Sequence, residues 1–308
     1  MRIVFMGTPA IAATVLRALV RSGRAPVLVV SQPDRPRGRG LGLAPTPVHA
    51  AADELGLPVV QPEKIDDSAF ERLRDARPDL IVVVAYGKIL RKRVLDLPRH
   101  GCVNAHASIL PKYRGAAPIN WAIIRGESVT GVSIMKLDEG MDTGPVGLVR
   151  TVPIAPDDTA ATLTDKLAIL AAEAMIDAID GIEAGELTWT AQDHDRADYA
   201  PMLEKDDGLI DWTRPCVEID RLVRGVTPWP GAQTTLAGKR LKVLVAEPEP
   251  GVDGEPHVVL ESGPGGIVVA CGEGGLRIRR LQLEGKKAMD AREFVSGARL
   301  GPGDRIGR

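Results

Sequence analysis

Through the first half of the chain, short apolar runs alternate with longer segments of helical periodicity, the pattern of a parallel sheet with helices packed on it. Residues 3–6, 27–30, 59–60, 80–85, 102–105 and 132–135 read as strands. Residues 11–20, 48–55, 69–76 and 89–97 read as helices, with Gly56 standing at a helix C-terminus. A longer helix is predicted from Asp158 or Thr159, either of which can cap it. It runs through Leu163, Leu167, Leu170, Met175 and Ile179 and stops at Gly181. From Gln192 to Asp207 the apolar pattern lapses. After Leu209 the texture changes to strand-like runs at 241–246, 267–270 and 276–283 between Gly and Pro clusters, as in a small β-barrel. The expected architecture is α/β: a Rossmann-like doubly wound parallel sheet domain over 1–190, a linker over 191–208 and a small OB-like β-barrel domain over 209–308.

A length of 308 residues agrees with two domains. At 44% hydrophobic and 26% charged, the chain has an ordinary globular composition. Aromatics are 3%, which counts against binding single strands by base stacking. A net charge of −2 exerts no global pull on a polyanion, so any nucleic-acid contact must come from local basic patches. The three cysteines, Cys102, Cys216 and Cys271, are odd in number and widely spaced, which fits reduced thiols and no metal. Neither a signal-like start nor an apolar stretch of about 20 residues occurs, so a cytoplasmic protein without a membrane partner is expected.

Three places carry candidate chemistry. Gly7-Thr8-Pro9 closes the first strand and opens a helix, where an anion can sit, but the further glycines of a dinucleotide fingerprint are missing. Gly7 then reads as a tight turn, and a nicotinamide enzyme loses its main support. The second place is the strand end at Asn104 and His106. Alternation puts both on one face, roughly 6–7 Å apart. An amide donor beside an imidazole can hold a carbonyl and stabilise the oxyanion formed when a nucleophile attacks it. Read alone, His106 serves equally as a structural residue and Asn104 as a turn residue. The third is Asp142, in the glycine-punctuated loop 136–144, which can orient His106 or simply make a local turn. No enzyme nucleophile is evident: Ser108 lacks the G-x-S-x-G elbow, and Cys102 sits in an apolar strand.

Residues 104–111 (Asn-Ala-His-Ala-Ser-Ile-Leu-Pro), 114–119 (Arg-Gly-Ala-Ala-Pro-Ile) and 138–144 together closely resemble the folate-dependent formyltransferases in order and spacing. The resemblance implies a catalytic set of Asn104, His106 and Asp142. It also implies a site for 10-formyltetrahydrofolate at Val84, Tyr86, Gly87, Ser108, Ile109, Leu110 and Pro111. Ala105, where the family usually has a larger aliphatic residue, and Ile109, in place of the commoner Leu, depart from the pattern without removing a reacting group.

The loop 31–40, Ser-Gln-Pro-Asp-Arg-Pro-Arg-Gly-Arg-Gly, is similar to the loop with which tRNA-directed members hold the acceptor end of initiator methionyl-tRNA. That implies phosphate and base contacts from Arg35, Arg37 and Arg39. Residues 226–231 and 285–289 are similar to second-domain motifs of the same branch, so Lys286 and Lys287 join the implied tRNA contacts. A monomer that binds no DNA is expected. Two rivals stand beside this reading: a formyltransferase acting on an amino sugar or glycinamide ribonucleotide, and a non-catalytic RNA-binding relative.

Overall fold

The computed structural model describes residues 1–37, 42–298 and 300–307. Contacts divide the chain into two compact units. One comprises Met1–Pro118, Val129–Pro153 and Thr164–Ala200; the other comprises Ile119–Ser128, Ile154–Leu163 and the chain from Pro201 onward. Of the stretch expected to link two domains, residues 191–200 therefore cluster with the first unit and 201–208 with the second.

The elements run β1 (Ile3–Gly7), α1 (Ala10–Arg21), β2 (Leu28–Val30), β3 (Arg35–Arg37), β4 (Gly42–Ala44), α2 (Pro47–Glu54), β5 (Val59–Val60), α3 (Asp67–Asp75) and β6 (Leu80–Val84). Then follow α4 (Lys92–Leu95), β7 (Cys102–His106), β8 (Arg114–Gly115), α5 (Pro118–Ile124), β9 (Val129–Lys136), β10 (Val146–Pro153), α6 (Ala160–Ala184) and β11 (Tyr199–Ala200).

The first unit holds a seven-stranded sheet in the order β10-β9-β7-β6-β1-β2-β5. From β7 to β5 neighbouring strands are parallel, and β9 and β10 extend the sheet antiparallel. The parallel core is the doubly wound sheet that the alternation predicted. Both β1 and β6 are buried along their whole length, which is why their residues read as unbroken apolar runs. Each such Val or Leu contributes about 1.5–3 kcal/mol relative to an exposed side chain.

Strand order reverses between β1 and β6, so the carboxyl ends of these strands form the crevice where open α/β sheets bind ligands. A Cβ added at Gly7 would stand 2.7 Å from Ala12 Cβ and 2.9 Å from the Val84 carbonyl oxygen. Close packing of β1 against α1 and β6, and not the tight turn read from the sequence, is what requires glycine there.

Two helix predictions need correction. The helix expected over 89–97 shrinks to the single turn Lys92–Leu95. Ahead of it Ile89 is exposed, and Lys88 is drawn off to the carbonyls of Pro62 and Glu63. The long helix does not stop at Gly181 but continues to Ala184, where Gly185 with φ +72° ends it. Gly181 serves packing instead, since an added Cβ would stand 3.2 Å from Leu187 Cβ. At its start Thr159 caps as expected: its Oγ1 accepts from Thr162 N at 3.2 Å, and Thr162 Oγ1 accepts from Thr159 N at 3.0 Å.

The second unit carries α7 (Cys216–Gly225), β12 (Ala232–Leu236), β13 (Lys239–Glu249), β14 (Val259–Gly263), β15 (Gly266–Ala270), β16 (Gly275–Leu283), β17 (Met289–Asp290) and α8 (Ala291–Gly297). Its strands pair antiparallel in the order β12-β13-β16-β15-β14, with β17 on β16. This is the OB-like sheet domain expected of the C-terminal part. Leu241, Val243, Ile267, Val269, Leu276, Ile278 and Leu281 form its buried face. Register shifts around Val245 bend β13 and leave that side chain exposed. Trp212 is fully buried, and its indole N–H donates to Thr234 Oγ1 at 3.0 Å. No described helix is long and apolar enough to cross a membrane.

Candidate active site

β7 delivers Asn104 and His106 to the carboxyl end of the parallel sheet, two residues apart on one face. Its neighbours pin it on both sides, with Asn104 opposite Val83 of β6 and Met135 of β9, and His106 opposite Ser133. His106 is buried, and its Nε2 N–H donates to the Tyr113 carbonyl at 2.8 Å. That bond leaves Nδ1 turned toward Asp142, whose Oδ2 lies 3.6 Å away. Asn104 is half-buried, and its amide has no hydrogen-bond partner among the described residues. A donor held at a strand end without an internal partner is available to a ligand.

Asp142 sits in the left-handed region at φ +55°, a conformation that Asp tolerates better than most residues. Its Oδ2 accepts from Gly115 N at 2.9 Å. The loop is tied further by Asp138, which accepts from Gly140 N at 3.0 Å and from Thr143 Oγ1 at 2.6 Å. At Gly144 an added Cβ would run into the Lys136 carbonyl, so only glycine lets the loop return this closely to β9. The structure therefore brings Asn104, His106 and Asp142 to one corner of the first unit.

Ser108 is fully buried, and its hydroxyl donates to the Lys112 carbonyl at 2.6 Å. Ser133 Oγ donates to the Ser108 carbonyl at 2.7 Å and accepts from Leu110 N at 3.0 Å. Ser108 thus shapes the turn with its hydroxyl, while Ile109 and Pro111 are half-buried and Leu110 is buried.

In the turn after β6, Ala85 and Gly87 both have positive φ and are exposed. Val84 and Tyr86 point inward instead. Tyr86 packs into the core cluster with Met6, Val30 and Leu90, and burial pushes its hydroxyl up to about 12. Its carbonyl accepts from Thr8 Oγ1 and Gln32 Nε2, both at 3.1 Å. Cys102 is likewise buried and pushed up to about 12, the state of an inert thiol.

The arginine-bearing loop begins with a hairpin in which Arg35 lies opposite Ala44 and Arg37 opposite Gly42. Arg35 is exposed; Arg39 lies outside the described residues. At the base of the hairpin Asp34 accepts from Thr46 N at 3.1 Å, His49 Nδ1 at 3.0 Å and Gln61 Nε2 at 2.6 Å. Burial opposes ionisation of Asp34, but the hydrogen bonds from Gln61, His49 and Thr46 outweigh it and hold the carboxyl below its ordinary range. In the second unit Lys286 and Lys287 are exposed in the turn after β16, where Gly285 has φ +75°.

Sequence reasoning missed Gln192. Expected in a linker, it is buried, and its amide nitrogen donates to the carbonyls of Asp142 at 2.9 Å and Gly144 at 2.7 Å. Its amide oxygen accepts from Arg114 Nε at 3.1 Å and Nη2 at 2.8 Å. A single glutamine in a polar stretch carries no periodic signal that points to such a role.

A doubly wound domain with an amide, an imidazole and a carboxylate at its strand ends, followed by an OB-like domain, defines a class. Residues 1–179 match the formyl transferase family and residues 202–299 match the formyl transferase C-terminal domain, so the chain belongs to that family. Its relatives include the methionyl-tRNA formyltransferase of Geobacter sulfurreducens, 50% identical with 100% of this chain and 97% of that protein covered. The methionyl-tRNA formyltransferase of Geobacter metallireducens is 49% identical, with 99% and 98% covered. Among solved structures, HypX from Aquifex aeolicus in complex with tetrahydrofolic acid superposes with a TM-score of 0.66 at 20% identity. That match covers 96% of this chain, which spans about half of HypX at 47%. It speaks for the fold.

Proposed function

We propose that this chain transfers the formyl group of 10-formyltetrahydrofolate to the α-amino group of methionine on initiator methionyl-tRNA, giving N-formylmethionyl-tRNA for translation initiation. The observation that carries the reading is whole-length identity of about half to proteins named for that reaction. The corner at β7 supplies chemistry that suits it. The donor lies near the 84–87 turn and residues 108–111, with its formyl oxygen directed at the Asn104 amide. That amide, half-buried and without a hydrogen-bond partner among the described residues, is the group that fits a carbonyl acceptor.

The amine nitrogen attacks the formyl carbon, forming the new C–N bond and a tetrahedral oxyanion. Asn104 donates to that oxyanion, and His106 joins it through Nδ1, the ring nitrogen that the Tyr113 carbonyl does not engage, when that nitrogen carries a proton. Asp142 orients His106 and takes part in moving a proton from the attacking amine to the N10 nitrogen of the donor as its C–N bond breaks. The products are the N-formyl amide and tetrahydrofolate, with no covalent enzyme intermediate. Arg35, Arg37 and Arg39 hold the acceptor end of the tRNA, and Lys286 and Lys287 contact phosphate elsewhere on it. The same reading describes a cytosolic monomer that binds RNA and not DNA.

Purified protein given 10-formyltetrahydrofolate with charged initiator and charged elongator tRNA is expected to formylate methionine on the initiator alone. Transfer to an amino sugar or glycinamide ribonucleotide with none to tRNA would replace the acceptor. No transfer to any amine would overturn the reading.

A further inference from the structure

We propose that Gln192 is a positioning residue for the reaction: its amide, locked by Arg114, holds the Asp142 loop at the distance from which Asp142 addresses His106. This rests on the proposed role of Asp142.

The chemistry of Arg114 forces the orientation of the amide. A guanidinium has donors only, so the end of Gln192 that receives Nε and Nη2 must be the oxygen. The nitrogen then faces the loop, and its two N–H groups meet the Asp142 and Gly144 carbonyls. Both donors and both acceptor positions of the amide are used, and the residue is 9% exposed.

Arg114 is 2% exposed, and its side-chain partners among the described residues are the Gln192 oxygen and His194 Nδ1, the latter 3.1 Å from Nη2, with no carboxylate among them. Burying a guanidinium without a carboxylate is a poor way to gain stability, and an apolar pair of similar volume would serve a core better. What the arrangement supplies is orientation. The residue after Arg114 is Gly115, whose N–H holds the same Asp142 oxygen that faces His106. Residues 114 and 115 and Gln192 thus grip Asp142 at both its side chain and its backbone. An aspartate at φ +55° is kept from relaxing to a commoner conformation, which would swing its carboxylate away from His106.

The test is a double-variant cycle on the intact chain, read in kcat, in KM for each substrate and in thermal unfolding. Gln192→Met keeps the volume and removes every hydrogen bond. Asp142→Asn keeps an oxygen for Gly115 N–H and removes the charge. Gln192→Met is expected to lower kcat about ten- to hundredfold, the loss typical of supporting residues that aim a reacting group. KM for donor and tRNA should stay within about twofold on the same grounds. In the double variant kcat should match that of Asp142→Asn alone, because Gln192 acts through Asp142. Losses that multiply in the double variant, or an unchanged kcat for Gln192→Met, would overturn the inference. Full kcat for Asp142→Asn alone would overturn the role of Asp142 itself, and that failure shows in the single variant. Should Gln192→Met not fold, Gln192→Glu replaces it, retaining the acceptor for Arg114 but setting a carboxylate against two carbonyls. Failure of both to fold would assign Gln192 to stability and overturn the inference.

Discussion

Asp34 and Asp142 are both loop carboxylates of the first unit, and they are used in opposite ways. Asp34 is saturated by protein: Thr46, His49 and Gln61 all donate to it, and it ties the two ends of the arginine hairpin together. Asp142 is itself the thing held, by Gly115 on its side chain and Gln192 on its backbone, and it faces His106 at 3.6 Å without closing on it. In the hairpin the base is gripped and Arg35 is left exposed; in the corner the reacting groups are gripped. Bond-making loses rate when a group must be found, whereas phosphate contacts set register and tolerate a searching cation. Under the proposed function, the contrast corresponds to chemistry at the corner and RNA contact at the hairpin.

The largest expected effect breaks the corner. His106→Ala should lower kcat about a hundred- to a thousandfold, equivalent to about 2.7–4 kcal/mol, and leave KM for methionyl-tRNA unchanged. A rise in KM at full kcat, measured in steady state, would place His106 on the RNA side of the comparison. Next comes the base of the hairpin. Asp34→Ala removes three hydrogen bonds to a charged group and should cost at least about 1.5–3 kcal/mol, the worth of one such bond, in denaturant unfolding. It should also raise KM for tRNA about tenfold while kcat at saturation holds, the signature of lost uniform binding.

Arg35→Ala should be milder, raising KM for tRNA a few-fold and reducing the slope of log binding against log salt by about one, as should Arg39→Ala. Salt titration of tRNA binding checks both. The smallest effect is the acid response of Asp34. Because its folded-state pKa lies below its ordinary 3.8, its stabilisation is fully present above that value and is lost as pH falls through the lower folded value. The stability gap between the protein and Asp34→Asn should therefore be constant near neutrality and close only in strong acid. A gap that closes near pH 6 would mean that another group carries it.

The sheet was legible because β1 and β6 are buried on both faces and must be apolar throughout, so length and bounding turns suffice to find them. Of the second unit's strands, β13, β15 and β16 were legible as short apolar runs between Gly and Pro clusters, whereas β12, β14 and β17 carried no such run. What escaped depends on contacts distant in sequence. The 89–97 segment has helical composition, yet Lys88 leaves the pattern to reach carbonyls some 25 residues earlier. Gly181 has the composition of a stop, but its lack of a side chain accommodates Leu187. Asn104, His106 and Asp142 were found by spacing and family likeness. Gln192 was not, since nothing beside it in sequence marks a residue whose partners lie 48 to 78 positions away.

Asn104 is the sharpest probe of the account. His106 and Asp142 also hold backbone in place, so their loss mixes chemistry with structure, but the Asn104 amide ties nothing among the described residues. Single-turnover transfer from 10-formyltetrahydrofolate to initiator methionyl-tRNA by folded Asn104→Ala isolates its contribution. The chemical step is expected to slow about a hundred- to a thousandfold, with donor and tRNA bound as before; transfer at the unaltered rate would remove Asn104 from the chemistry.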